Sequence, residues 1–345
     1  MRIRARHLLY ALLVAPPAAL LLAWLGVIGV GAASGHWAVT DWFLHFTMRS
    51  SVRTAALLDP VPAPPDDALR PAAGHYDRGC APCHGAPGKP RPPQVLGMLP
   101  KPPDLVGRVG SWSDAELHRI VMHGVRFTGM PAWPAQARDD EGLMMVAFLR
   151  ALPDLSPEDY AGLVTAPEGT LPAGCSGCHG PEGRGGGPRV PRLAGQSETY
   201  LRQSLAAYAQ GGRESGIMAQ AVNGVPSETL AEIARHVARL PATDGGADPA
   251  PATPAPAIAR VGRPEHGVPA CLSCHGEPRK NPSVPRLGGQ PAAYLAAQLR
   301  LFRDGERGGG PYANVMARAA AGLEDEEIDM LAAWFSQAPP EPAKP

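Results

Sequence analysis

Apolar and polar positions divide the chain into unlike stretches. From Leu8 to about Ala33 no charged residue occurs, and the run follows Arg2, Arg4 and Arg6. A bilayer is crossed by roughly 20 apolar residues, so this run predicts a membrane-spanning helix over 1–36. The three arginines would stay cytoplasmic, which puts the rest of the chain outside. A cleaved export signal ending near Ala32, Ala33 and Ser34 is the alternative, and Pro16-Pro17 weakens a smooth helix. Residues 37–68 read as a juxtamembrane helix bearing Trp42, Phe43, Phe46 and Met48, then a proline-rich spacer.

Beyond residue 68 the apolar positions recur with helical period, and no stretch alternates long enough for a strand. Amphipathic helices are predicted at Asp139–Leu152, Ser227–Leu240 and Glu324–Phe335. Ile328, Leu331 and Phe335 mark the buried face of the last, and Met330 is assigned to the same stripe. Other helices should start at Ser113, whose Glu116 completes a capping box, and near Ser197 and Pro291. The fold expected is all-α, in three small tandem domains at 69–163, 164–240 and 258–338. A Pro/Ala-rich linker, 241–257, separates the last two and should be extended and semi-rigid. Domains two and three are sisters. Pro191-Arg-Leu-Ala-Gly-Gln196, Tyr200 and Met218 in one match Pro285-Arg-Leu-Gly-Gly-Gln290, Tyr294 and Met316 in the other. Domain one has Pro102-Pro-Asp-Leu105 and Thr128-Gly-Met-Pro-Ala-Trp133 instead.

Composition adds two constraints. Lys plus Arg (32) equals Asp plus Glu (32), which gives no electrostatic case for nucleic acid. Aromatics are 6% while Gly and Pro number 40 and 41, which is thin filling for three small cores and points to a non-protein staple.

The six cysteines supply it. They read Cys80-Ala-Pro-Cys83-His84, Cys175-Ser-Gly-Cys178-His179 and Cys271-Leu-Ser-Cys274-His275, with none left over. One such motif alone would also fit half a zinc site or a dithiol. Three, each followed directly by His, point to covalent haem c, with the thiols on the vinyl groups and the His on iron. The metal ligands proposed on the first side are therefore His84, His179 and His275. Sulfur from methionine on the other side would raise the potential and close the iron to substrate. Met218 is the one methionine of domain two, and Met316 matches it in the repeat. Met130, between Gly129 and Pro131, is chosen over Met98 and Met122, and over the packing residues Met144 and Met145. His118 reads as a surface residue, His123 as loop packing, and His236 and His266 as solvated. The carbonyls of Pro191 and Pro285, with Pro103 a weaker analogue, are placed to receive the second nitrogen of each ligand His. Arg192 and Arg286 are candidates for the haem propionates.

These residues resemble class I cytochromes c. Residues 170–337 resemble tandem diheme cytochromes of the c-four type. Domain one and the preceding Trp42–Met48 segment resemble membrane-anchored monohaem cytochromes c. The resemblance implies an electron carrier, not an enzyme. It would sit on the inner (cytoplasmic) membrane through one helix in lipid, with its haem domains in the periplasm. Its redox protein partners would be a quinol-oxidising complex or dehydrogenase on one side and a terminal oxidase or other acceptor on the other. An electron-accepting subunit of a membrane-bound dehydrogenase is the alternative, and a haem peroxidase a third reading. The linker 241–257 departs from the diheme pattern and puts the tight pairing of those haems in question.

Overall fold

The computed structural model describes residues 5–27, 29, 31, 35, 37–242, 253–276 and 281–338. Among these, helices and turns make up the whole regular structure, with two isolated bridges and no strand. Arg2, Arg4, the Ala32–Ser34 region and most of the linker lie outside the described residues.

The membrane anchor is overturned. Among the described residues no helix is long and apolar enough to cross a membrane. The apolar run does not fold as one helix. Ala5–Trp24 contains Pro16 and Pro17 and gives way to a turn at Leu25–Gly26, well short of Ala33. Each proline removes an amide donor from the helical ladder. The single-pass topology, the lipid contact and the inner-membrane location fall with it. The following helix, Ala38–Leu58, is a flank of the first bundle. Its Val52 is buried, Arg53 approaches Glu116 at 3.6 Å, and Arg49 lies over the Trp112 ring at 5.4 Å.

Three apolar clusters follow in chain order. The first runs from Ala68 to Tyr160 around Tyr76, Phe148 and Met145, with Tyr76 and Phe148 tilted at 5.1 Å. The second gathers Leu171, Leu201, Ala234 and Val237, and the third gathers Ile258, Phe302, Ile328 and Leu331. Helix starts follow local capping. Ser113 and Glu116 form a capping box on Asp114–His123, and Ser197 accepts from Tyr200 N–H at the head of Glu198–Ala209. The long closing helices run Asp139–Ala151, Ser227–Ala238 and Asp325–Gln337.

Two side chains depart from expectation. His118 is 8% exposed, because its helix lays that face against Asp139–Ala151, where Nε2 comes within 3.6 Å of Asp139. Met330 is 46% exposed, one position outside the stripe that buries Ile328, Leu331 and Phe335.

Candidate haem sites

Each Cys-Cys-His motif lies on a short helical segment. Leu69–His75 continues through a π-turn at Tyr76–Cys80 into Ala81–His84. Ala173–His179 holds the second motif, and Leu272–His275 ends the third. Helical spacing sets the two thiols one turn apart with His directly after.

The three histidines share one contact. Nδ1 of His84 donates to the Pro103 carbonyl at 2.9 Å, His179 to Pro191 at 2.9 Å, and His275 to Pro285 at 3.1 Å. A carbonyl can only accept, so Nδ1 carries the proton and Nε2 keeps its lone pair. Burial also lowers the pKa of His84 and of His179, holding both rings neutral, the form that binds metal. In the first bundle Arg91 donates to Pro102 O at 2.6 Å and steadies the loop that presents Pro103.

A cavity of about 700 Å³ runs between the second and third bundles. Cys175, Cys178, His179 and Met218 line it on one side, and Cys271, Cys274, His275 and Met316 on the other. Thiol pairs, imidazoles held through Nδ1 by a carbonyl, and thioethers facing one mostly apolar space fit a covalently held haem in each half. Arg192 and Arg286 also line it.

The methionines differ in their supports. Met130 stands in a loop, where its N–H donates to Thr128 Oγ1 at 3.1 Å and its carbonyl accepts from Val125 at 3.2 Å. Met218 is not brought in by a loop. It sits in the first turn of Gly216–Val222, with its N–H on the Ser215 hydroxyl at 3.0 Å. Met316 lies within Ala313–Ala320. Met144 and Met145 are core residues, as their helical setting predicts.

Gly124 controls the approach of Met130. It ends its helix at φ +62°, and a Cβ there would meet Met130 O at 2.6 Å and Pro131 C at 2.5 Å. Gly124→Ala is expected to push the Met130 loop away. The test is the weak near-infrared sulfur-to-iron absorption of the oxidised protein, which should fall by about one third; full intensity would free Met130 from this role.

Sequence reading missed the residues that hold the bundles together. Gln290 Oε1 accepts from Arg192 N at 2.9 Å and its Nε2 donates to Arg192 O at 2.8 Å. Gln196 repeats this on Arg286 N and O, at 2.9 and 2.8 Å. The repeated Pro-Arg-Leu-x-Gly-Gln block therefore fastens its own sister, and the linker does not separate the pair. Glu141 joins the first bundle to the second. It is 2% exposed and accepts from Trp133 Nε1 (3.1 Å), Gly216 N (2.7 Å) and Ile217 N (3.3 Å), and from the Ser215 hydroxyl. Arg138 balances its charge at 3.0 Å. Repetition of the glutamine was the available signal in the first case; nothing local marks Glu141.

Comparison with known proteins agrees with this geometry. Residues 67–149 match the family described as cytochrome c oxidase, cbb3-type, subunit III, and residues 170–233 match cytochrome c. A cytochrome c4 from Stutzerimonas stutzeri is 32% identical over 204 residues, 56% of this chain and 97% of that protein. This chain belongs to the cytochrome c family. The cytochrome is also 37% identical to cytochrome c4 of Thiocapsa roseopersicina over 165 residues, 47% of this chain and 85% of that protein. It is 32% identical to a thiosulfate dehydrogenase electron acceptor of Thiomonas intermedia over 209 residues, 59% of this chain and 93% of that one. It is an electron-transfer cytochrome that resembles c4-type diheme cytochromes in its matched region.

Proposed function

We propose that this cytochrome holds three haem c groups, in domains 69–163, 164–240 and 258–338, and relays electrons between redox protein partners. Cys80 and Cys83, Cys175 and Cys178, and Cys271 and Cys274 form the thioether links. His84 and Met130, His179 and Met218, and His275 and Met316 would hold the three irons. The observation that carries this reading is the His Nδ1–proline carbonyl bond made three times, at 2.9, 2.9 and 3.1 Å, beside three cysteine pairs. Bound haem would supply a one-electron ferrous–ferric couple.

The chain's own part is positional. The proline carbonyls orient the imidazoles, and the apolar lining keeps water out. Glu141 and the two glutamines hold neighbouring bundles in contact. The electrons would come from a dehydrogenase, as the name of the Thiomonas relative suggests, and leave to a terminal oxidase or another acceptor. The match of residues 67–149 to a cytochrome c oxidase subunit family supports an oxidase as the acceptor.

Mass spectrometry of denatured protein from a haem-maturing host should show three haems per chain. Reductive titration should consume three electrons. Met218→His should remove about one third of the near-infrared absorption while the haem count stays at three. A colourless denatured chain, or rapid peroxide turnover, would defeat the proposal.

A further inference from the structure

Arg213 and Arg307 occupy equivalent places in the repeat, at the same distance after Tyr200 and Tyr294. The structure brings them to the seam between the second and third bundles, where both line the shared cavity. Their loops meet closely. A Cβ at Gly308 would strike the Gly212 carbonyl at 2.4 Å, and one at Gly309 would meet the Arg213 side chain at 2.8 Å.

Neither cation finds an anion among the described residues. Arg213 is 5% exposed and donates to Gln298 Oε1 at 3.0 Å, Tyr294 Oη at 3.1 Å and Ser204 Oγ at 3.4 Å. Its guanidinium lies 4.6 Å from the Tyr208 ring centre. Arg307 lies 4.2 Å over Phe302, and its buried Nε has no hydrogen-bond partner. Two other arginines show the contrast. Arg138 pairs with Asp140 and Glu141, and Arg300 pairs with Asp325 and Asp329. The surroundings register the unbalanced charge. Burial pushes the Tyr200 phenol up, yet Arg213 and Arg307 outweigh it and bring its pKa down to about 8. Burial and the charge of Arg213 lower that of Arg307.

Two like charges at one seam, Arg213 buried and Arg307 half-buried, facing phenols, a hydroxyl and an amide are costly in a poorly polarisable interior, and an anion in the cavity removes the cost. The same cavity is lined by Cys175, Cys178, Cys271 and Cys274. We infer that Arg213 and Arg307 form a carboxylate-binding pair that takes propionates of the haems held at these cysteines. This rests on the haem reading above. It adds a pair distinct from Arg192 and Arg286, whose backbones are occupied in the glutamine lock. Guanidinium suits carboxylate through forked hydrogen bonds, and a phenol beside it offers a further donor.

The consequence is electrostatic. Positive charge near a haem disfavours the ferric state, so removing it lowers the midpoint potential. In the full holoprotein, Arg307→Gln should lower two of the three midpoints and leave that of the His84 haem least changed. Arg307→Lys should retain most of the original values, whereas a role in packing alone would make the two variants alike. Haem mass is read on every sample. Fewer than three haems in the unaltered protein would refute the haem reading, whereas three haems with unmoved midpoints in Arg307→Gln would overturn the arginine assignment. Midpoints of the unaltered protein that shift with phosphate concentration would assign the pair to free anion and also overturn it. Should the variants fail to fold, redox-difference infrared spectra of unaltered protein with carbon-13-labelled propionates decide. Ionised carboxylate bands from both haems are expected, and protonated carboxyl bands would contradict the inference.

Discussion

Glu141→Ala should destabilise the cytochrome by about 3–5 kcal/mol, the usual cost of leaving one member of a buried ion pair behind. The carboxylate serves groups from both bundles. Trp133 Nε1 and Arg138 belong to the first, while the Ser215 hydroxyl and the Gly216 and Ile217 amides belong to the second. Alanine leaves the guanidinium of Arg138 without this partner in a buried site. It also strands amide donors at the head of the helix that carries Met218. Two readouts should move together. The denaturant midpoint should fall, and the near-infrared sulfur-to-iron absorption should weaken as Met218 loses its support. Glu141→Gln should fall between, since it keeps one acceptor oxygen but sets an amide against donors. A loss below about 1 kcal/mol for Glu141→Ala, or an unweakened near-infrared band, would show that the contact does not hold the bundles together.

Gln196→Ala and Gln290→Ala should each cost about 1–3 kcal/mol, because each strips partners from a part-buried backbone N–H and C=O of the sister bundle. Their combination tests more than stability. If the two amides act on one seam, the first loss already loosens it, and the double variant should cost less than the sum by at least about 0.5 kcal/mol. Small-angle scattering should then show a longer particle, and exchange of electrons between the two sites should slow. Strict additivity with an unchanged scattering profile would mean that the seam is held elsewhere.

Much of the local structure was legible without coordinates. The cysteine–histidine spacing, the capping box of Ser113 and Glu116, the start at Ser197 and the three closing helices depend on residues a few positions apart. The proline carbonyls behind His179 and His275 were readable too, since only 12 and 10 residues separate donor and acceptor. Uniform apolarity between Leu8 and Ala33 misled, because a run of side chains says nothing about where the backbone turns. Met330 misled because the edge of a helical stripe is decided by what packs on it.

What sequence alone determined here is short-range: motif chemistry, helix ends and the kinship of two repeats, all governed by covalent spacing and hydrogen bonds within a turn or loop. Tertiary structure decided which charges are buried and with whom. Glu141 meets Ser215 across 74 residues, Gln196 meets Arg286 across 90, and Arg213 meets Gln298 across 85. Desolvation and ion pairing depend on three-dimensional neighbours, and those exist only once the bundles have come together.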